Sequence, residues 1–192
     1  LPGSRRGEVS RLAPIFGESW RRVMTAHPNA RVVVPTVPHL TETVTALTGS
    51  WSSDRLILDA GARPDLERAA VATADVALAA SGTVSLELAA ADTPMVIAYD
   101  MNWLSRRMIS RMLLIDTVTL VNLVSETRAV PEFIGANCRA ELIAPAILSV
   151  LEQPAAQRDA MATTIDRLGR GGPAQGERAA QAVMRVIADR AC

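Results

Sequence analysis

The chain alternates short apolar segments with longer segments of helical periodicity, and this alternation restricts its fold more than any other feature. The predicted strands are Arg31–Val34, Arg55–Leu58, Asp75–Ala79, Pro94–Tyr99 and Thr117–Leu120. Helical segments, most of them about 10–15 residues long, lie between them. Such alternation predicts βαβ units, and therefore an α/β fold in which a Rossmann-like parallel sheet is flanked by helices.

The helical segments follow from apolar spacing and from the residues that interrupt it. The predicted helices are one that carries Val9, Leu12, Phe16 and Val23, then Pro38–Leu47, Asp65–Ala74, Thr83–Ala91 and Asn102–Leu114. Pro14 predicts a kink or a new segment in the first of these. From Arg139 onward the sequence is helical, and the glycines between 169 and 172 divide it into two helices. The 192 residues fit one domain, 1–192.

A glycine-containing turn between the third strand and its helix is the first candidate site. Ligands of such sheets bind at the carboxyl ends of the strands, where Ser81, Gly82 and Thr83 lie. Gly82 lets backbone N–H groups approach a diphosphate, and Thr83 can cap the helix and also donate its hydroxyl. Glu87, one turn further on, can accept hydrogen bonds from ribose hydroxyls. An ordinary helix start with a dipole-complementing glutamate explains the same residues equally well.

A second turn, at the start of the chain, also precedes a helix. Gly3, Ser4 and Arg5 resemble a phosphate-binding loop, although the P-loop pattern is missing. Arg5 could neutralise a diphosphate with two parallel hydrogen bonds. By itself, the segment fits a solvent-exposed basic turn better than a binding loop.

The segment Asn102–Leu114 combines an apolar side with a basic line. Trp103, Arg107 and Arg111 recur at helical spacing, a pattern typical of helices that lie on anionic membranes. A helix that packs its apolar side into the core, with solvated arginines, is slightly favoured by the same pattern.

Composition excludes several classes of function. Lysine plus arginine and aspartate plus glutamate both number 20, and this balance argues against nucleic acid as a partner. No zinc-binding spacing and no Asp-x-Asp motif occurs, so no metal site is predicted. Cys138 and Cys192 are predicted to be free thiols in a reducing compartment. The chain begins at Leu1 without an initiator Met and is interpreted as a fragment.

Several short motifs, each weak alone, occur together along the chain. In order they are Leu1-Pro2-Gly3-Ser4-Arg5 with Glu8, Ala80-Ser81-Gly82-Thr83 with Leu86-Glu87, Pro94-Met95-Val96 with Tyr99, Leu120-Val121-Asn122-Leu123 with Pro131-Glu132, and Gly171-Gly172-Pro173 with Arg178-Ala179-Ala180. In this order and spacing, across almost the whole chain, the set resembles the lipid A disaccharide synthase family. One departure is Asp100, where that family often has a basic residue.

The resemblance implies an inverting GT-B glycosyltransferase built from two Rossmann-like halves, with no metal or other cofactor. Such an enzyme transfers diacylglucosamine from UDP-diacylglucosamine to diacylglucosamine 1-phosphate, and releases lipid A disaccharide phosphate and UDP. The chain matches the C-terminal half, which binds the UDP-sugar. The acceptor half, with the general base, and a strand just before Leu1 are expected outside it, so the isolated chain is expected not to catalyse transfer.

The resemblance also suggests roles for individual residues. It makes Arg5 and Asn122 important for activity, with Asn122 near the donor phosphate or sugar. The expected diphosphate contacts are Gly3, Ser4, Arg5, Ser81, Gly82 and Thr83. Glu87 is expected to hold the ribose, and the backbone near Ile57 and Leu58 to pair with uracil.

The expected setting is cytoplasmic and peripheral, on the inner face of the cytoplasmic membrane, where acylated substrates are met. Homo-oligomerisation is left open. The closest alternative is another GT-B enzyme acting on UDP-N-acetylglucosamine, either a peptidoglycan glycosyltransferase or an epimerase. A non-catalytic sugar-nucleotide or membrane-interaction module is the alternative from a different class.

Overall fold

A computed structural model describes residues 1–51, 54–100, 116–172 and 175–190. Its helices are α1 Arg6–Ala26, α2 Thr41–Leu47, α3 Pro64–Thr73, α4 Val84–Ala90, α5 Leu120–Ser125, α6 Ala140–Glu152, α7 Ala155–Arg167 and α8 Gln175–Arg190. Its strands are β1 Val33–Thr36, β2 Leu56–Asp59, β3 Ala77–Ala79, β4 Met95–Tyr99 and β5 Glu132–Ile134. Short 3-10 turns lie at Pro38–Leu40 and Gly135–Asn137.

The described strands form two parallel sheets, which confirms the predicted α/β class. One sheet pairs β1 with β2, and the other has the order β3-β4-β5. Ala79 lies opposite Ile97, and Tyr99 opposite Ile134. Parallel pairing brings the carboxyl ends of neighbouring strands to one edge, where the candidate loops are expected.

The strand β4 lies at the centre of the larger sheet and is covered on both faces. Val96 and Ala98 pack in one cluster with residues of α1 and α6, including Phe16 and Ile143. Met95 and Ile97 point the other way, into a second cluster whose members include Leu88, Val121 and Met161, from α4, α5 and α7. Because successive side chains of a strand alternate between faces, a continuous apolar strand such as this one must be buried on both sides.

Leu1 extends the larger sheet beyond β3. Its amino nitrogen donates to the Leu78 carbonyl at 3.0 Å, and its own carbonyl accepts the Ala80 N–H at 2.9 Å. These are the bonds of a parallel ladder. They fix where the turn that follows Leu1 leaves the sheet.

The prediction of a strand at Thr117–Leu120 is wrong. Leu120 begins α5, and the N–H groups of Val118 and Thr119 donate to the Glu132 carboxylate instead of a neighbouring strand. The fifth strand is β5, which the sequence analysis missed because it is only three residues long and begins with a glutamate.

Two predictions about helix breaks are also corrected. No new segment starts at Pro14, since α1 runs through it, and Pro14 lies on an exposed side where its missing N–H bond leaves no buried carbonyl. The C-terminal part contains three described helices rather than two, because Pro154 follows the end of α6. The predicted helix Asn102–Leu114 lies outside the described residues.

Candidate functional site

Two glycine turns lie side by side at the carboxyl edge of the larger sheet. One is the turn Pro2–Arg5, which follows Leu1, and the other is Ser81–Thr83, which follows β3. They are neighbours because Leu1 is hydrogen-bonded to β3 through Leu78 and Ala80. The fold therefore brings together the two segments that the sequence analysis singled out separately.

The first turn closes over the carboxylate of Glu8. Gly3 has a φ of +112°, and a Cβ at this position would lie 2.8 Å from Glu8 Oε2, so both the backbone angle and the space require glycine. Glu8 is buried in the first turn of α1 and accepts a hydrogen bond from Arg5 Nη1 at 3.0 Å. Arg5 remains 81% exposed, so the rest of its guanidinium faces solvent above the turn.

Tyr99 completes this group from the end of β4. Its hydroxyl lies 3.4 Å from Glu8 Oε1, the same oxygen that Arg5 contacts. Burial raises the pKa of Tyr99, and the negative charge of Glu8 raises this pKa further. Both residues belong to the motifs noted in the sequence, but spacing alone did not indicate that Glu8 would orient Arg5.

The second turn presents open backbone. Gly82 has a φ of +150°, and a Cβ there would meet no atom within 4 Å. Ser4, Gly82 and Thr83 are exposed, and Ser81 is half-buried. Thr83 stands at the N-cap of α4, as the sequence allowed, but its side chain makes no capping hydrogen bond. Instead, Ser85 Oγ donates to the Gly82 carbonyl at 2.9 Å, which leaves the Thr83 hydroxyl at the surface.

Glu87 lies exposed in the first turn of α4, as its position in the sequence suggests. A second carboxylate, that of Glu67 in α3, lies close enough for the charge of Glu87 to affect it. Burial raises the pKa of Glu67, and the charge of Glu87 raises this pKa further. Glu67 was missed by the sequence analysis because no motif connects the two helices.

The expected uracil contact lies in the other sheet. Leu56 N–H donates to the Val32 carbonyl, and Ala60 N–H to the Thr36 carbonyl. In a parallel ladder with this register, the N–H and C=O of Leu58 are engaged with β1, whereas those of Ile57 point away from it. Of the two predicted residues, Ile57 therefore has the backbone groups that can reach a base.

Asn122 is fully buried, and its side-chain amide is engaged by protein groups. Its Nδ2 donates to the Val130 carbonyl and to Glu132 Oε1, both at 2.9 Å, and its Oδ1 accepts the Val130 N–H at 3.0 Å. Asn122 thus connects α5 to the segment before β5. A direct contact with a ligand would require some of these bonds to break.

The Glu132 carboxylate holds the segment Thr117–Thr119 in place. It accepts the Val118 N–H at 3.1 Å, the Thr119 N–H at 3.0 Å and the Thr117 hydroxyl. Burial alone would raise the pKa of Glu132, but the hydrogen bonds from the Thr117 hydroxyl and from the Val118 and Thr119 N–H groups lower this pKa overall. The carboxylate therefore acts as an ionised acceptor that orders the chain next to Asn122.

The described residues contain no group of three or more His, Cys, Asp or Glu side chains placed to hold a metal ion. Among the described helices, none has the length and apolarity required to cross a membrane.

Taken together, parallel sheets with glycine turns at the carboxyl edge define a Rossmann-like α/β domain of the GT-B type. The family model of lipid-A-disaccharide synthetase matches residues 1–186. The chain belongs to this family.

Individual relatives agree with this assignment. A lipid-A-disaccharide synthase of Ruegeria pomeroyi is 57% identical over 96% of this chain and 47% of its own length. Those of Rhodospirillum centenum and Paramagnetospirillum magneticum are 39% and 36% identical, over 99% and 97% of this chain. The chain spans about half the length of these curated relatives, 47% and 48% in the last two.

The Glu132 network generates a prediction about stability. In Glu132→Gln, the side-chain amide has one oxygen for the donors that share two carboxylate oxygens in the parent protein. Its NH2 group would face hydrogen-bond donors instead of acceptors. We expect the free energy of unfolding to fall by about 1–3 kcal/mol in urea titrations near neutral pH. Glu152→Gln, an exposed site at the end of α6, is the matched control and should change little.

The Glu132 network also predicts the direction in which stability changes with pH. The pKa of Glu132 in the folded protein is lowered from 4.5. Its contribution to the free energy of unfolding is therefore fully present above the pKa of the unfolded state, and it is lost as the pH falls through the folded pKa. The stability difference between the parent and Glu132→Gln should therefore shrink in acid. A difference that stays constant down to the acid transition would show that the carboxylate charge is not what holds Thr117–Thr119.

Proposed function

We propose that this chain is the donor-binding half of an inverting glycosyltransferase of lipid A synthesis. The donor is UDP-diacylglucosamine, the acceptor is diacylglucosamine 1-phosphate, and the products are lipid A disaccharide phosphate and UDP. Family membership supports the reaction, and the pair of adjacent glycine turns with Arg5 above them supports donor binding. The acceptor site and the general base belong to the rest of the enzyme.

The diphosphate of the donor lies over the two turns. Gly3, Ser4 and Arg5 contact it from one side, and Ser81, Gly82 and Thr83 from the other. The open space at Gly82 supports close approach of an anion to the backbone, and the exposed Thr83 hydroxyl adds a donor. Glu8 keeps Arg5 above the first turn, where the remaining guanidinium N–H groups can form charge-assisted bonds.

The nucleoside extends from the diphosphate toward the smaller sheet. Glu87 accepts hydrogen bonds from the ribose hydroxyls, because it is exposed one turn inside α4. The backbone of Ile57 pairs with uracil, because its N–H and C=O point away from β1. Leu58 supports this contact through packing rather than through its own backbone.

Transfer requires charge to develop on the departing UDP. Arg5 and the backbone N–H groups of the Gly82 turn stabilise that charge, which is the electrostatic role that a metal ion has in other glycosyltransferases. Asn122 acts as a positioning residue, because its amide is engaged with Val130 and Glu132. It orders the segment Thr117–Thr119 near the donor.

The acylated substrates imply a membrane surface as a further partner. We place the enzyme in the cytoplasm, peripheral to the inner face of the membrane, with the segment Asn102–Leu114 as the contact. This segment lies outside the described residues, so its support is the sequence pattern of Trp103 with the arginines. Self-association is not required by the proposed site.

Glu87→Gln should weaken UDP binding about tenfold or more, because each charge-assisted hydroxyl bond contributes about 1.5–3 kcal/mol. Calorimetry on the folded chain measures this. Glu42→Gln, another exposed first-turn glutamate, should bind UDP as the parent does. The parent should bind 2′-deoxy-UDP more weakly than UDP, and the variant should no longer distinguish them. Unchanged discrimination would place the ribose elsewhere.

Arg5→Ala should lose affinity for UDP by about tenfold and leave affinity for uridine unchanged, because the lost contact is with phosphate. Arg21→Ala removes the same charge from an exposed position on α1, the helix that follows Arg5, and should change neither affinity. In the full-length enzyme, turnover at saturating donor should fall strongly in Arg5→Ala. A near-parental rate would reject the diphosphate role.

Neutralising Arg106, Arg107 and Arg111 to Gln should weaken sedimentation of the full-length enzyme with anionic vesicles. Each arginine contributes about 1 kcal/mol near such a surface, and the attraction is screened by salt. The variant should therefore also show a flatter salt dependence. Equal sedimentation of parent and variant at low and high salt would assign the lipid contact to another part of the enzyme.

A further inference from the structure

Arg11, in the second turn of α1, carries a charge that the described part of the chain leaves uncompensated. Its side chain is exposed, and within the described residues it forms neither a hydrogen bond nor an ion pair. Arg11 follows Glu8 by three residues, which is the spacing of an ordinary ion pair on a helix. The Glu8 carboxylate, however, already accepts hydrogen bonds from Arg5 and Tyr99. The guanidinium of Arg11 therefore keeps all its N–H groups for an added anion.

The guanidinium of Arg11 folds back along α1 toward the amino end of the helix. Its two terminal nitrogens lie 3.9 and 4.0 Å from the point that a Cβ of Gly7 would occupy. Gly7 has no positive φ, and a methyl group there would make ordinary contact, so neither backbone nor space requires glycine. Glycine is unfavourable within a helix, and here it leaves one side of the guanidinium uncovered.

The hydroxyl of Tyr99, at the end of β4, lies within the field of the same guanidinium. Burial and the charge of Glu8 raise the pKa of Tyr99, whereas the charges of Arg11 and Arg5 oppose this rise, Arg11 the more strongly. The hydroxyl lies 3.4 Å from Glu8 Oε1, which is longer than the roughly 2.5–3.0 Å of a normal O–H···O bond. The Tyr99 hydroxyl can therefore exchange Glu8 for a closer acceptor beside Arg11.

Strand order places this pair of side chains beyond the diphosphate, on the side away from the smaller sheet. The smaller sheet faces the larger one at β3, whereas Tyr99 belongs to β4, one strand further away. In the proposed function the nucleoside extends toward the smaller sheet, so the sugar end of the donor points toward β4. Neighbouring strands lie about 4.8 Å apart, so an anion held at Tyr99 is separate from the diphosphate but adjacent to the sugar.

The nearby acidic groups do not cancel the charge of Arg11. Glu8 is buried and compensates Arg5, to which it donates no second oxygen contact beyond the one with Tyr99. Asp100, which follows Tyr99, is engaged in a contact of its own, and no described ion pair joins it to Arg11. With Arg5 committed to the diphosphate, Arg11 remains as a cation for a second anionic group.

We propose that Arg11 and Tyr99 bind the phosphate group of the acceptor, so that this chain completes an acceptor site whose main part lies in the rest of the enzyme. The inference rests on the proposed function, in which the acceptor carries a phosphomonoester. The planar guanidinium forms two parallel hydrogen bonds with phosphate oxygens, and the phenol donates to a third. A phosphomonoester carries about 1.5–2 negative charges at neutral pH, so it gains strongly from a cation that has no other partner.

Steady-state kinetics of the full-length enzyme in neutral-detergent micelles test the proposal, because such micelles have no charged surface. Arg11→Ala should raise the KM for the acceptor about tenfold or more, since a charge-assisted contact is lost, and keep the KM for the donor within about twofold of the parent value. Arg6→Ala is the matched control, because Arg6 is also exposed on α1 but is not among the charges that act on Tyr99. It should keep both KM values within about twofold.

An acceptor that lacks the phosphate, diacylglucosamine, separates a phosphate contact from a change in structure. The parent should have a lower KM for diacylglucosamine 1-phosphate than for diacylglucosamine, and Arg11→Ala should reduce this discrimination about tenfold. Tyr99→Phe removes only the hydroxyl and should reduce it by about two- to tenfold. If Arg11→Ala raises the KM for both acceptors equally, or leaves both unchanged, the proposal is wrong.

Two other results would assign Arg11 to a different anion and overturn the proposal. Weaker sedimentation of Arg11→Ala with phosphatidylglycerol vesicles, at an unchanged KM for the acceptor, would assign it to lipid headgroups. A raised KM for the donor alone would make it a second diphosphate contact. Failure of the proposed function is recognised separately, because Arg5→Ala and Glu87→Gln would then bind UDP as the parent does, whatever Arg11→Ala shows.

Discussion

Two hydrogen bonds between Leu1 and β3 determine the geometry of the candidate site. They place the turn Pro2–Arg5 beside the turn Ser81–Thr83, although the two are far apart in the sequence. Neither turn is distinctive alone. Side by side at the carboxyl edge of a parallel sheet, they offer glycine backbone, hydroxyl groups and one arginine around a common space, which is the composition that an anion with several oxygens requires.

Two glutamate side chains hold parts of the candidate site in position by accepting hydrogen bonds. Glu8 is buried under Gly3 and holds Arg5 and Tyr99, and Glu132 collects donors from Thr117–Thr119. In both cases a glutamate side chain accepts hydrogen bonds from groups near a point where the chain leaves regular structure. These bonds explain how a short turn and an irregular segment keep defined positions beside the candidate site.

Much of the fold was predictable because burial on both faces makes the strands continuous apolar runs. The strand at 94–99 is an example, and its observed bounds differ by one residue. The segment Thr117–Leu120 looked like a strand by composition, but a side chain from residue 132 takes its N–H groups, and no local pattern reveals that. The candidate turns were found from glycine and hydroxyl residues near strand ends. Glu67 approaches Glu87 through the packing of α3 and α4, and no local pattern reveals that the Asn122 amide bonds Val130 and Glu132, so both findings required the structure.

The proposed donor spans both sheets, so donor binding depends on how the two sheets are connected. In the proposal, the diphosphate lies on turns of the larger sheet, whereas Ile57, the proposed uracil contact, belongs to the smaller one. The helix α1 ties them together, since Leu12 and Phe16 pack in the core of the larger sheet and Val9 packs in the cluster with Val34 and Val44. The helix α3 forms a second connection, since it contacts β2, and its Val71 packs against the cluster that contains Met95 and accepts a hydrogen bond from Thr93 Oγ1. The distance from Ile57 to Gly82 therefore depends on packing at both helices.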